Sequence, residues 1–107
     1  MTTNLTDQEF SKHVDTHFQT TFQDREIDLT LTEVKSYMPQ AHEQAGMERF
    51  SIFFAGPPDI LLPQQTYTLR HEQMGEFDVF LGAVTDQAKG LRYEAVFNYY
   101  KKNSDED

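Results

Sequence analysis

Apolar side chains recur at every second position along much of the chain, which is the period of a β-strand with one buried face. The alternation covers residues 16–22 and, after a polar turn at residues 23–26, residues 27–32. These two stretches predict a β-hairpin. The strict parity breaks near Glu33, which predicts a bulge or the end of strand pairing there.

Four further strands are predicted in the second half of the chain. Residues 49–55 are apolar on both faces, which is typical of a central strand, and Pro57 prevents its continuation. Residues 66–70, 77–81 and 91–98 alternate again and are separated by turns. About six short strands therefore predict a mainly β fold, an antiparallel meander that forms a small barrel or roll.

A short helix precedes the strands, and its start has two sequence signals. Thr6 is placed as the N-cap with Glu9 as its capping-box partner, and Leu5 and Phe10 form a hydrophobic staple around the cap. The pattern predicts a helix over about residues 7–14 that covers the sheet.

The chain has the length of one domain. Its 107 residues are too few for two independent cores, so we expect a single β domain with its N-terminal helix over residues 1–98. Residues 38–46 are predicted to form a loop. Residues 99–107 are predicted to form a charged, flexible tail because most of them are polar or charged.

Three apolar residues fall on the wrong face for the core of their strands: Phe53, Phe80 and Val96. Something must cover them. One interpretation is that the N-terminal helix or the loop near Met38 packs over them within the monomer. The other is that they form a candidate protein interface.

Composition excludes several classes of chemistry. The chain has no cysteine, which rules out disulfides, thiolate metal sites and cysteine nucleophiles. The net charge of −9 predicts repulsion from nucleic acid and from anionic membranes, so neither is an expected partner. No apolar run is long enough to cross a membrane, and the first residues lack the features of a secretory signal, so the predicted location is cytoplasmic.

The histidines are the residues to consider for catalysis or metal binding. His13 and His17 have a spacing that suits metal binding on a helix, but the sequence offers no third ligand, and we expect solvated side chains. His42 and His71 each precede a glutamate, yet neither has a visible desolvated pocket. We therefore predict no catalytic residue, no metal and no cofactor, and hence no enzyme.

An ordered set of short segments resembles an uncharacterised family of small bacterial β domains of unknown function. The segments are residues 47–54, Gly56-Pro57, residues 62–64, residues 67–71, Gly75, Phe80-Leu81 and residues 93–98. Gln65 and Gly82-Ala83-Val84 depart from that pattern. The resemblance supports the β fold, implies a bacterial origin and a loose association with phage-tail-collar-like proteins, and supplies no catalytic residues.

Two functions follow as hypotheses. The first is a non-catalytic interaction or assembly accessory module, which binds a protein partner or a second copy through the outer apolar face or through exposed strand edges. The resemblance suggests a phage-tail-like or surface-fibre protein as the setting of this module. The alternative is a small β-barrel that binds an apolar ligand among its interior aromatic residues.

Overall fold

Six β-strands and one short helix make up the domain. The structure is a computed structural model that describes residues 5–37, 47–86 and 90–100. The elements in chain order are α1 (Asp7–Ser11), β1 (His17–Phe22), β2 (Arg25–Tyr37), β3 (Met47–Ala55), β4 (Gln65–His71), β5 (Gly75–Asp86) and β6 (Gly90–Tyr100). The mainly β prediction and its count of about six strands are confirmed.

The strands form a closed antiparallel barrel in the order β1-β2-β3-β6-β5-β4. The predicted barrel is therefore confirmed, but the strand order departs from a simple meander. β3 pairs with β6, and β4 closes the barrel against β1. This order is possible because the long connection over residues 56–64 separates β3 from β4 in space while every neighbouring pair stays antiparallel.

The first hairpin has the tightest turn that an antiparallel pair can use. Phe22 pairs with Arg25, so Gln23 and Asp24 alone form the turn. Their φ angles of 53° and 64° are left-handed, as a type I′ turn requires. Further along β2, the register on β3 shifts between Leu31 and Glu33, which confirms the predicted bulge.

Aromatic side chains fill the barrel interior. The expected core residues lie in the interior cluster or pack against it: Phe18, Phe50, Tyr67, Phe77, Tyr93 and Phe97. Phe10 of α1 joins them with no exposed surface, and its ring lies 5.5–6.5 Å from four other phenylalanine rings. The helix thus closes one end of the barrel.

The connection over residues 56–64 also packs against the core. Leu62 is buried, and its backbone N–H donates to the Tyr93 hydroxyl at 3.0 Å. The Tyr67 hydroxyl donates to the Pro63 carbonyl at 2.5 Å. Both tyrosines therefore bury an apolar ring and still satisfy their polar ends.

α1 begins as predicted but is shorter. The Thr6 side chain accepts a hydrogen bond from the Glu9 N–H at 3.1 Å, which confirms the N-cap. The helix ends at Ser11 instead of continuing to Val14. The chain then turns through Asp15, whose φ is 72°, into β1.

Several predictions concern residues at the margins of the described ranges. β6 continues to Tyr100, beyond the predicted end at residue 98, and the rest of the predicted tail lies outside the described residues, as does the predicted loop over residues 38–46. Within the described ranges, no helical segment has the length and apolar character needed to span a membrane.

Candidate functional site

Phe80 of β5 and Val96 of β6 are large apolar side chains that point out of the barrel into solvent, and Leu91 near the start of β6 is also exposed. Phe80 is 56% exposed and Val96 is 55% exposed. Their strand neighbours Leu81 and Ala95 are buried, as strict alternation requires. The prediction that Phe80 and Val96 point away from the core is therefore confirmed.

Phe53 lies on the same outer surface but is only 8% exposed. The guanidinium carbon of Arg92 lies 4.2 Å from the centre of the Phe53 ring. The cover expected from the helix or from the loop near Met38 is therefore supplied, in part, by the long side chain of Arg92 on the neighbouring strand.

Arg92 is held in this position by an ion pair. Its Nη1 lies 2.8 Å from a carboxylate oxygen of Glu33, at the bulge of β2. Its side chain is only 10% exposed, so the pair is screened little by solvent. Arg92 Nε is buried and has no hydrogen-bond partner among the described residues. Such a group is costly in a folded protein and needs a functional or structural explanation.

Two shallow clefts run beside these residues. One, of about 260 Å³, is lined by Phe80, Val96 and the backbone around Gly82. The other, of about 320 Å³, is lined by Phe53, Arg92 and Glu33 among others. Val84 and Glu94 line both clefts, so the two clefts lie side by side and form one surface region. We call this surface the outer groove, and its residues are Glu33, Lys35, Phe53, Gln64, Phe80, Gly82, Ala83, Val84, Thr85, Arg92, Glu94 and Val96.

Charge in the outer groove is balanced, whereas the whole chain has a net charge of −9. Lys35 and Arg92 offset Glu33 and Glu94. The groove therefore repels an approaching protein less than the acidic remainder of the surface does.

Closure of the barrel limits the other docking mode that the sequence suggested. Each described strand has two neighbours in the barrel. The seam between β1 and β4 has the register pair Gln19 and Arg70, and the Thr20 hydroxyl also bridges this seam by donating to the Thr68 carbonyl at 2.7 Å. Docking by strand addition at an exposed edge stays a prediction.

The interior offers little room for the alternative function, an apolar ligand. The Phe50 and Phe97 rings stack with centres 4.8 Å apart, and Phe10 contacts both. Phe18 packs edge-on against Phe54 and Phe77. The ligand-binding alternative stays a prediction, but these ring contacts do not favour it.

A second polar site lies where β4 ends. His71 is 8% exposed, and its ring centre lies 4.7 Å from that of His13. His13 is 7% exposed, so the expectation of a solvated side chain is wrong for His13, and it holds for His17, which pairs with Asp28 on the barrel surface. The early end of α1 is the reason, because the turn at Asp15 folds His13 back onto the barrel.

The hydrogen bonds of His71 determine which ring nitrogen carries the proton. Its Nδ1 accepts from the backbone N–H groups of Gln73 and Met74 at 3.0 and 3.1 Å. Nε2 therefore carries the proton and donates to the Thr16 hydroxyl at 2.9 Å. Burial, and then the charge of nearby His13, lower the pKa of His71, while Glu72 acts in the opposite direction.

This arrangement does not form an activated nucleophile. The Thr16 hydroxyl donates its own proton to the His13 carbonyl at 2.6 Å. Since Nε2 of His71 already carries a proton, it has no lone pair with which to accept the proton of Thr16. In the described part of the chain no three histidine, aspartate or glutamate side chains are grouped so as to hold a metal ion. His42 lies outside the described residues.

Two residues of these sites were missed by sequence reasoning. Arg92 looked like an ordinary outward-facing strand residue, and the only available signal was an arginine on the same strand face as Glu94 and Val96. Thr16 gave no signal, because its partner His71 is distant in the sequence.

Comparison with known proteins gives one match. A search of curated proteins found none, and a search of solved structures found none. A family model described as a domain of unknown function, DUF6916, matches residues 5–97, from just before the helix to the last strand. The chain thus belongs to the family of the domain of unknown function DUF6916.

Proposed function

We propose that this domain is a non-catalytic interaction module that binds a partner protein through the outer groove. The observation that carries the proposal is the contrast between Phe53, which is covered, and Phe80, which is 56% exposed on the same face of the barrel. Phe80 and Val96 are exposed together beside one cleft, and exposed apolar side chains that cluster are a feature of contact surfaces.

The partner surface is inferred from the chemistry of the groove. Phe80 and Val96 need apolar side chains opposite them. The neighbouring cleft offers the ion pair of Arg92 and Glu33. We therefore expect a partner segment that presents an apolar side chain with a polar group close to it.

The biological setting of the proposal rests on sequence resemblance. It is supported by the similarity of short segments to small bacterial β domains, which are loosely associated with phage-tail-like proteins. We accordingly propose a cytoplasmic accessory of a tail-like or surface-fibre assembly. The comparison with protein families gives the domain family alone.

The test places a photo-crosslinking amino acid at position 80 and, as a matched control, at position 61. Leu61 lies outside the outer groove and is 64% exposed, so a crosslinker there is at least as open to solvent as one at position 80. We expect one protein to be crosslinked from position 80 in cells of the native host, and none from position 61. Equal yields from both positions would argue against the groove.

The crosslinked partner is then purified, and its affinity is measured for the wild type and for Phe80→Ser, Val96→Ser and Leu61→Ser. Loss of a buried phenylalanine or valine contact weakens binding by about tenfold to a hundredfold. The Leu61→Ser variant should bind as the wild type does. A second copy of the chain is the remaining candidate partner, and size-exclusion chromatography with light scattering tests it. A wild-type dimer that Phe80→Ser converts to a monomer would identify a second copy as the partner.

A further inference from the structure

His71 joins three parts of the chain at the barrel end that α1 closes. It is the last residue of β4, it accepts two backbone N–H groups of the β4–β5 turn, and it donates to Thr16 in the connection that follows α1. Its ring also packs on Phe18 at 4.3 Å and on His13 at 4.7 Å.

The neutral ring is the only form that fits these partners. A proton on Nδ1 would point at two N–H groups that already point at the same nitrogen. Both hydrogen bonds would be lost, and two donors of the turn would be left without their acceptor. Met74, whose N–H is one of them, is buried, so the turn has little freedom to rearrange around a charged ring.

The groups around His71 do not remove this penalty. His13, on the α1 side, adds positive charge when protonated, and its Nε2 lies 3.7 Å from a carboxylate oxygen of Glu9. Glu72, in the turn, favours the charged ring but is exposed. Asp15 and His17 line the cleft of about 400 Å³ beside His71 together with Gln19, Glu72 and Gln73, and that cleft is open to solvent screening.

We infer that His71 is an acid-sensitive latch, and that its protonation releases the β4–β5 turn from the barrel end. The connection at Asp15 and Thr16 stays in place, because the Nε2–H of a protonated His71 still donates to the Thr16 hydroxyl. The backbone groups of this connection also stay bonded to Leu31 of β2, at 2.7 Å from Asp15 N to Leu31 O and 3.1 Å from Leu31 N to Thr16 O. Release of the turn exposes the side chain of Met74, which is buried in the closed form.

The direction of the pH dependence follows from linkage. In the closed form the pKa of His71 lies below its ordinary value of 6.5, and in the released form it returns to that value. Above pH 6.5 both forms are neutral, and the latch has its full strength. As the pH falls below 6.5 the released form binds the proton first, so the opening equilibrium grows by up to about tenfold per pH unit until the closed form also titrates.

The first test is imidazole ¹⁵N NMR on the wild-type protein. We expect Nδ1 of His71 to have the shift of an unprotonated nitrogen at pH 7.5, and the pKa of His71 to lie below the ordinary histidine value of 6.5. A protonated Nδ1, or a pKa of His71 at or above 6.5, would overturn the inference.

The second test is hydrogen exchange followed by mass spectrometry from pH 7.5 to 5, corrected for the intrinsic rate. Residues 72–75 should lose up to about tenfold in protection per pH unit below 6.5, while β3 and β6 keep theirs. Protection that stays flat at the barrel end, or that falls equally in β3 and β6, would contradict a local release.

Variants separate the latch from a merely structural histidine. His71→Asn keeps an oxygen that can accept the N–H groups two and three residues later, but it does not titrate, so the pH dependence should disappear. Thr16→Val removes the hydrogen bond to the connection but leaves the titrating ring, so protection should be lower at every pH with the slope retained. His17→Asn is the matched control and should behave as the wild type. A His71→Asn protein with the wild-type slope would refute the latch. None of these outcomes depends on the outer groove.

Discussion

Replacement of Phe10 by alanine tests whether the short helix is part of the cooperative core. Phe10 has no exposed surface, and its ring lies 5.5–6.5 Å from the rings of Phe18, Phe50, Phe77 and Phe97. α1 has only five residues, too few to be stable as an isolated helix. Its position on the barrel therefore depends on side-chain packing, chiefly that of Phe10.

The expected loss can be worked from this burial. Truncation of a fully buried phenylalanine to alanine costs about 3–5 kcal/mol, because both the transfer free energy and the packing of the vacated site are lost. The loss of unfolding free energy in Phe10→Ala cannot exceed the free energy with which α1 docks on the barrel, because a variant in which α1 has already detached loses nothing more from that contact. A domain of this size has a total stability of about 5–15 kcal/mol, so we expect a folded but weakened variant.

Urea unfolding measures the effect. The chain has five tyrosines and no tryptophan, so tyrosine fluorescence and far-ultraviolet circular dichroism are suitable probes. With a denaturant slope of about 1.5 kcal/mol per molar urea, the midpoint should fall by about 2–3 M. Phe80→Ala is the matched control: that ring is 56% exposed, and its truncation should change stability by about 0.5 kcal/mol or less. Similar small changes in both variants would refute the reasoning, because they would mean that α1 does not share in the core.

Two further predictions concern a buried hydrogen bond and a turn. Tyr93→Phe leaves the buried N–H of Leu62 without its acceptor and should lower the free energy of unfolding by about 1–3 kcal/mol in the same urea assay; an unchanged midpoint would show that the bond contributes nothing. Replacing Gln23 by Asn and Asp24 by Gly should raise stability by about 0.5–1 kcal/mol in thermal unfolding, since both positions have left-handed φ angles that Asn-Gly adopts readily; a lower melting temperature would contradict the turn geometry.

Much of the barrel could be predicted from the sequence because a period of two is a local property. Each strand shows which of its residues point inward, and the parity break near Glu33 coincides with the observed bulge. The N-cap at Thr6 is also local, since the side chain and the N–H that it accepts are three residues apart. Strand faces, turns and caps were therefore accessible without knowledge of the fold.

The order of the strands in the barrel could not be predicted from the sequence in the same way. Alternation indicates which face is buried but not which strand lies alongside, and both a meander and the observed order bury the same residues. The difference lies in the connection over residues 56–64, which is longer than a hairpin turn and crosses to a different neighbour. Its length and prolines were the available signal that β3 and β4 are not paired.

The buried histidines show a second limit. His13 and His71 lie in polar local sequence, where the usual expectation is exposure. Their burial comes from tertiary contacts between the α1–β1 connection and the end of β4, which are far apart in the chain. A pattern confined to neighbouring residues cannot register such contacts, and the hydrogen bonds that determine the protonated nitrogen are equally non-local.

Two phenylalanines on the same outer face of the barrel differ in how far neighbouring side chains cover them, and this difference supports the outer groove as a contact surface. Phe53 pairs with Glu94, and the next outward-facing residue of β6 toward its start is Arg92, whose long side chain reaches over the ring. Phe80 pairs instead with Thr66, whose short side chain cannot cover an aromatic ring. A phenylalanine that served only the fold would gain from the cover that Phe53 receives, and its exposure costs solubility. The exposed Phe80 ring, beside a cleft that also exposes Val96, is best explained if a second protein covers both.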